Sequence, residues 1–139
     1  MVKRGFFGKI GLIETGGWQM IKGIGIDLVE LERIADIIQN RPSFIQRVLT
    51  PKEYETFQGL TPKRQIEYLG GRFACKEAFS KAYGTGIGAV SLQEIEILTN
   101  KRGAPQVTRS PHKGPVHVSI THTDTLAMAQ IILEEEGQQ

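Results

Sequence analysis

Near the start of the readable pattern, Ile24, Ile26 and Leu28 alternate with Gly23, Gly25 and Asp27. A period of two predicts a β-strand. The glycines leave one of its faces bare, open to close approach by backbone or ligand. The period then changes. Leu31, Ile34, Ala35 and Ile38 recur at helical spacing. Asp27 and Glu30 have the spacing of a capping box, which places Asp27 where strand gives way to helix. "RPSFIQRVLT" reads as a short helix or turn. The next helix is capped by Thr50, with Pro51 at its first position. A long helix follows in "TPKRQIEYLGGRFACKEAFSKAYG", where the Gly70–Gly71 pair marks a place for a kink. "AVSLQEIEILTNKRGAPQVT" reads as strand, turn, strand, with the turn at Asn100 to Pro105. Val116, Val118 and Ile120 mark another strand, and a tight turn near Thr123–Asp124 leads into the last one. In that last strand Leu126, Met128 and Ile132 alternate with Ala127, Ala129 and Ile131, so both faces are mostly apolar. Helices combined with hairpin-linked strands predict an α+β domain with an antiparallel sheet and packed helices.

The long helix carries the most information. At about 100° per residue, Ala74, Cys75, Ala78, Phe79, Ala82 and Tyr83 fill one arc, the expected core face. Arg72, Lys76, Glu77, Ser80 and Lys81 fill the rest, with Phe73 in the middle of them. A large aromatic on a polar arc predicts that this arc is covered, by a ligand or by another subunit.

The chain has 139 residues, enough for one domain with a real core. Residues 1–19 are Gly-rich and weakly periodic, and Met20 stands directly before the first strand. They are read as a leader or added extension, with the domain spanning 20–139. A net charge of +2 gives no ground for a nucleic-acid partner, and no apolar run reaches the ~18 residues of a membrane span. One cysteine, Cys75, forbids an intrachain disulfide and fits a reducing, cytoplasmic setting.

Two carboxylates about fifty residues apart, Asp27 and Glu77, are candidates to hold one hard cation, with water or phosphate oxygens completing the shell. Lys76 and Lys81 would then neutralise phosphate. Plain alternatives stand beside this: Asp27 as a helix cap, and Glu77 with Lys81 as a surface pair at i, i+4 worth about 0.2–0.5 kcal/mol. His117 and His122 are five apart, so on a strand they face opposite sides and form no two-histidine clip. The glycines after Tyr83 terminate the helix. They also permit a phosphate to approach backbone amides, Gly84 first among them. Basic residues cluster at Arg33, Arg41, Arg47 and Lys52, a surface suited to an acidic partner.

"GIGIDLVELERI", "RVLTPKE", "GRFACKEAFSKAYGTGIG" and "VHVSITHT" resemble the compact bacterial 4′-phosphopantetheinyl transferases, the holo-[acyl-carrier-protein] synthase family, from about Met20 to Glu134. The resemblance implies the 4′-phosphopantetheinyl transferase fold. It implies transfer of the phosphopantetheine arm of coenzyme A to a serine of acyl carrier protein in fatty acid biosynthesis, with release of adenosine 3′,5′-bisphosphate. The family's magnesium ligands match Asp27 and Glu77. Lys81, and by the same motif Lys76, would sit on phosphate. Larger relatives carry a third acid where Val29 stands, so water is the expected third ligand. The proton acceptor is Asp27, Glu77 or, favoured, a water held by Asp27. His117, Ser119 and His122 are implied on the nucleotide side, and Arg33 on the face that docks the carrier. The family is similar in forming homotrimers with sites between subunits, which would partition Asp27 and Glu77 between neighbours. The competing reading is a non-enzymatic trimeric protein that binds an acidic partner or nucleotide. A second enzyme reading, a different metal-dependent phosphoryl transferase, is disfavoured because the P-loop pattern GxxxxGK[ST] is absent.

Overall fold

A computed structural model describes residues 20–84 and 90–137. The proposed leader, 1–19, and the glycines at 86 and 88 lie outside the described residues. The elements in order are β1 (Ile21–Glu30), α1 (Leu31–Asn40), α2 (Pro42–Val48), α3 (Pro51–Gln58), α4 (Pro62–Tyr83), a short 3₁₀ turn (Leu92–Glu94), β2 (Glu96–Thr99), β3 (Pro105–Arg109), β4 (Val116–His122) and β5 (Leu126–Glu134). β5 lies between β1 and β4 in an antiparallel sheet, and β2 pairs with β3 in a separate hairpin. This is the α+β arrangement that the periodicities predict.

α4 packs across the inner face of the three-stranded sheet. The bare face of β1 is what admits it. A Cβ on Gly23 would overlap the Ala82 carbonyl, and one on Gly25 would overlap the Ala78 carbonyl. Backbone therefore approaches the glycines. Small residues on α4 complete the fit, since Ala74, Cys75 and Ala78 are fully buried with Ala129 and Ile131 of β5. Burial pushes the Cys75 thiol up to about 12, so it is not a thiolate nucleophile near neutral pH. The Gly70–Gly71 pair interrupts nothing: α4 is one continuous helix through it. Gly70 lets Leu31 of α1 lie close against the helix instead.

The polar arc of α4 is covered, but by this chain itself. Phe73 meets Phe44 of α2 edge to face at 6.0 Å and joins the cluster formed by α1, α2 and α3. Neither a ligand nor a second subunit is needed to explain it. Lys76 and Ser80 are buried, and Arg72 is nearly so. At the other end of the expected core arc, Tyr83 is exposed, stacked on Phe79 at 5.6 Å.

The Asp27–Glu30 box does not form. Glu30 itself is the N-cap of α1 and makes no side-chain cap bond, and the first helical amide, Leu31 N–H, donates to Thr125 O at 2.8 Å. Tertiary structure satisfies the helix end, which leaves Asp27 within β1 and free for other work. The box at Thr50 is real: Thr50 Oγ1 accepts from Glu53 N–H, and Glu53 Oε1 accepts from Thr50 N–H at 2.8 Å.

Among the described residues, nothing covers the outer face of the sheet. Ile24, Ile26 and Leu28 are 59%, 52% and 57% exposed, and Met128 of β5 is 36% exposed. Among the described residues, no helix is long and apolar enough to cross a membrane.

Candidate active site

Asp27 reaches the inner side of β1 because its register partners, Ala129 and across from it Ile120, occupy a row that faces α4. Glu77 and Lys81 are one turn apart near the end of α4, where the glycines of β1 draw the helix in. The plain surface pair is not what forms. Lys81 Nζ donates to Asp27 Oδ1 at 3.0 Å and to Ile26 O at 3.0 Å. Glu77 is half-buried, and its carboxyl is raised above the usual carboxylate range. Burial is the main cause. The Asp27 carboxylate adds to it, and the Lys81 ammonium offsets part. Two carboxylates from different elements thus share a site with one ammonium. Both come from the same chain, so the expected partition of Asp27 and Glu77 between neighbouring subunits does not hold.

The donor set fits a hard divalent cation. Its donors are carboxylate oxygens, and burial with the Asp27 charge disfavours ionised Glu77, which a bound cation would offset. Among the described residues, no group of three or more His, Cys, Asp or Glu side chains is placed to hold a metal. Asp27 and Glu77 would therefore supply two ligands and leave positions for other oxygens.

Lys76 does not belong to this site. Its side chain is fully buried, and Nζ donates to Glu53 Oε1 at 2.6 Å, Val48 O at 2.6 Å and Leu92 O at 3.1 Å. An ammonium has three hydrogens, and all are spent, so the phosphate contact expected of Lys76 is withdrawn. Burial pushes its ammonium below the usual lysine range, and the Glu53 carboxylate restores only part. Glu53 Oε2 also accepts from Ile97 N–H at 2.7 Å, so the pair clasps α3, α4 and β2 together. The Thr50 cap was legible in the sequence; Glu53 and its partner were not.

Gly84 ends α4 in the left-handed conformation at φ 88°, and its N–H is taken up by Lys81 O and Ser80 O. Its amide has no bond left for a phosphate, so the termination reading stands and the phosphate reading of Gly84 is withdrawn.

The histidines separate as their spacing requires. His117 and Ser119 lie on the outer face of β4, where His117 Nε2 is 3.1 Å from Glu134 Oε2. His122 turns to the α4 side and lines a cavity of about 380 Å³ with Arg64, Glu67, Tyr68, Arg72 and Thr99. His117 and Ser119 point away from this cavity, so the three residues expected on the nucleotide side do not meet at one place within the chain. Arg72 is the residue that sequence reasoning misplaced. It was grouped with Glu77, yet its Nε donates to Ile97 O and its Nη2 to Thr99 Oγ1, both at 3.1 Å, and its guanidinium lies 4.3 Å from the Tyr68 ring centroid. Position 72 falls on the wheel beside Lys76, and only the hairpin β2–β3 reveals where it points. A second hollow of about 500 Å³, between α1 and the start of α4, carries Glu30, Glu32, Glu67 and Asp124 against Lys63. Its charge disfavours a polyphosphate. Arg33 is exposed on α1.

Comparisons with known proteins agree on one family. The profile described as the 4′-phosphopantetheinyl transferase superfamily matches residues 23–133. The chain is 68% identical over 117 residues to the holo-[acyl-carrier-protein] synthase of Enterococcus faecalis, an alignment covering 84% of this chain and all of that protein. It is 51% identical over 120 residues to that of Limosilactobacillus reuteri, covering 86% of this chain and all of that one. Among solved structures, the synthase of Bacillus anthracis in complex with CoA (3′,5′-ADP) superposes with a TM-score of 0.79 at 44% identity, over 84% of this chain and 99% of that one.

Proposed function

The chain belongs to the 4′-phosphopantetheinyl transferase superfamily as a phosphopantetheinyl transferase of the holo-[acyl-carrier-protein] synthase kind, and from that premise we propose how its residues carry the reaction. The substrate is coenzyme A and the acceptor is a serine of apo acyl carrier protein, in the service of fatty acid biosynthesis in the cytoplasm. The serine oxygen bonds to the phosphorus that bears the pantetheine arm. The bond from that phosphorus to the bridging oxygen breaks, and adenosine 3′,5′-bisphosphate leaves. The observation that carries this reading is the meeting of Asp27 and Glu77 beside Lys81.

Asp27 and Glu77 would hold magnesium, which when bound stabilises charge on the phosphoryl oxygens. Lys81 spends two of its three N–H donors on Asp27 and Ile26. Among the described residues the third has no acceptor, and it would serve the leaving phosphate. A water held by Asp27 receives the serine proton.

The nucleotide end is assigned to the cavity lined by His122, Arg64 and Arg72. Arg72 is only 7% exposed, and among the described residues it has no carboxylate within ion-pair distance. A buried cation with no carboxylate partner suits an anionic ligand. This cavity lies on the β4 side of α4 and the Asp27 site on the β1 side, with β5 between the strands. One nucleotide is better served by the dyad of one subunit and the cavity of its neighbour. The uncovered apolar face of β1 and β5 supplies the surface for such a homotrimer. The exposed Arg33, with Arg41 and Arg47, would dock the acidic carrier. No nucleic-acid or membrane partner enters this reading.

The test is intact-mass spectrometry of apo acyl carrier protein incubated with this protein and coenzyme A, with and without magnesium. A gain of one phosphopantetheine unit only with magnesium is the expected outcome. Equal gain after exhaustive chelation would remove the metal from the reading, and no gain with folded protein would remove the carrier.

A further inference from the structure

The cavity that His122 lines holds a residue that works against its apparent purpose. Glu67 places a carboxylate beside two nitrogen groups of the cavity, 3.5 Å from Arg64 Nε and 3.9 Å from His122 Nε2. We propose that Glu67 limits the affinity of this cavity for the phosphate ester of the nucleotide, so that the spent nucleotide is released. This inference rests on the assignment of the nucleotide to that cavity.

Two roles compete for Glu67. In the first it is a brace that steadies Arg64 and His122. The Arg64 side chain is 68% exposed, however, and an ion pair so exposed holds its partners weakly. In the second role its charge acts directly on the ligand. The Glu67 side chain is only 13% exposed, so solvent screens it poorly. A phosphate oxygen at about 3 Å from either nitrogen lies within roughly 7 Å of the carboxylate, inside the Debye length of about 8 Å at physiological salt. The repulsion therefore reaches the ligand at full working ionic strength, while the bracing is weak. Arg72 supplies the grip that Glu67 offsets. Ile97 O and Thr99 Oγ1 fix the direction of its guanidinium at the cavity wall.

The experiment is calorimetric titration of the protein with adenosine 3′,5′-bisphosphate, and with adenosine 5′-monophosphate as the control that lacks the 3′-phosphate. Glu67→Gln is expected to tighten the bisphosphate by about three- to ten-fold at low salt, with a smaller gain for the monophosphate and a smaller gain at high salt. Inhibition of turnover by the bisphosphate should strengthen in parallel. Glu67→Ala, which removes bulk as well as charge, should move in the same direction, so a folding defect in one variant does not protect the idea. Weaker or unchanged bisphosphate binding in variants with wild-type melting temperature would overturn it and favour the brace. Arg64→Ala and His122→Ala separate the two layers of the argument. If they leave bisphosphate binding unchanged, the nucleotide assignment itself has failed. If they weaken it and the Glu67 variants do not tighten it, only the role of Glu67 has failed.

Discussion

Glu77 is the residue whose environment and task conflict most openly. Burial and the neighbouring Asp27 both disfavour its charged form, and Lys81 is committed to Asp27. The linkage has a definite sign. A carboxyl raised by folding favours the protonated state, so ionising it costs stability as pH rises through the carboxylate range. Glu77→Gln removes that cost and keeps the shape. The metal-free variant is expected to melt above wild type at neutral pH and to converge with it in acid. Magnesium should then raise the wild-type melting temperature and leave the variant unmoved, with turnover lost. Calorimetric melting at neutral and acid pH, with and without magnesium, decides this. A variant that melts below wild type without metal, or gains as much from magnesium, would show that Glu77 is not the strained ligand. Asp27 and Glu77 were legible in the sequence as a candidate pair, while only the resemblance implied that they act together. Lys76 was misread because its neighbour in sequence is Glu77 while its neighbour in space is Glu53. Removing one member of such a buried pair costs about 3–5 kcal/mol, so loss of Lys76 would act through folding.

Among the elements, β1 and α4 bear the greatest load, because their contact builds the site. Periodicity located both correctly and even anticipated backbone on the glycine face. What it reports is which side of an element is apolar, and it says nothing of what covers the other side. For α4 the covering elements are α2, α3 and β2, brought in from distant parts of the chain. The helix is therefore buried on nearly every side, and its polar residues are internal anchors. The same gap explains Asp27: a capping spacing was present, yet the backbone of Thr125 satisfied the helix start. A methyl group at Gly25 tests the coupling of packing to chemistry. It would overlap the Ala78 carbonyl, a helix backbone atom with little room to move. Gly25→Ala is expected to destabilise by about 1–3 kcal/mol, read as a lowered urea midpoint. It should also draw Glu77 and Lys81 off Asp27, so magnesium-dependent turnover falls further than stability does. Normal turnover at a lowered midpoint would mean that the site tolerates a displaced α4.

At the scale of the whole molecule, the described residues leave one apolar face of the sheet bare, a surface suited to association. Ile24, Ile26 and Leu28 on an edge strand, beside Met128, invite a second copy. If copies of the chain share each site as proposed, inactive variants should rescue one another. Glu77→Gln disables the dyad half and Arg72→Gln the nucleotide half. Each alone gives trimers with every site damaged. After joint refolding, about one interface in four draws its dyad half from one variant and its nucleotide half from the other in their intact forms, by random assembly. Turnover at limiting coenzyme A should therefore reappear on mixing and rise toward that fraction of wild type. Sedimentation of the mixture must show trimers throughout. If trimers form and no activity returns, both halves of the site belong to a single chain, and the bare face of the sheet serves assembly without serving catalysis. A further charge on that face, Leu28→Lys, should dissociate the trimer and abolish the rescue, since the halves can no longer meet.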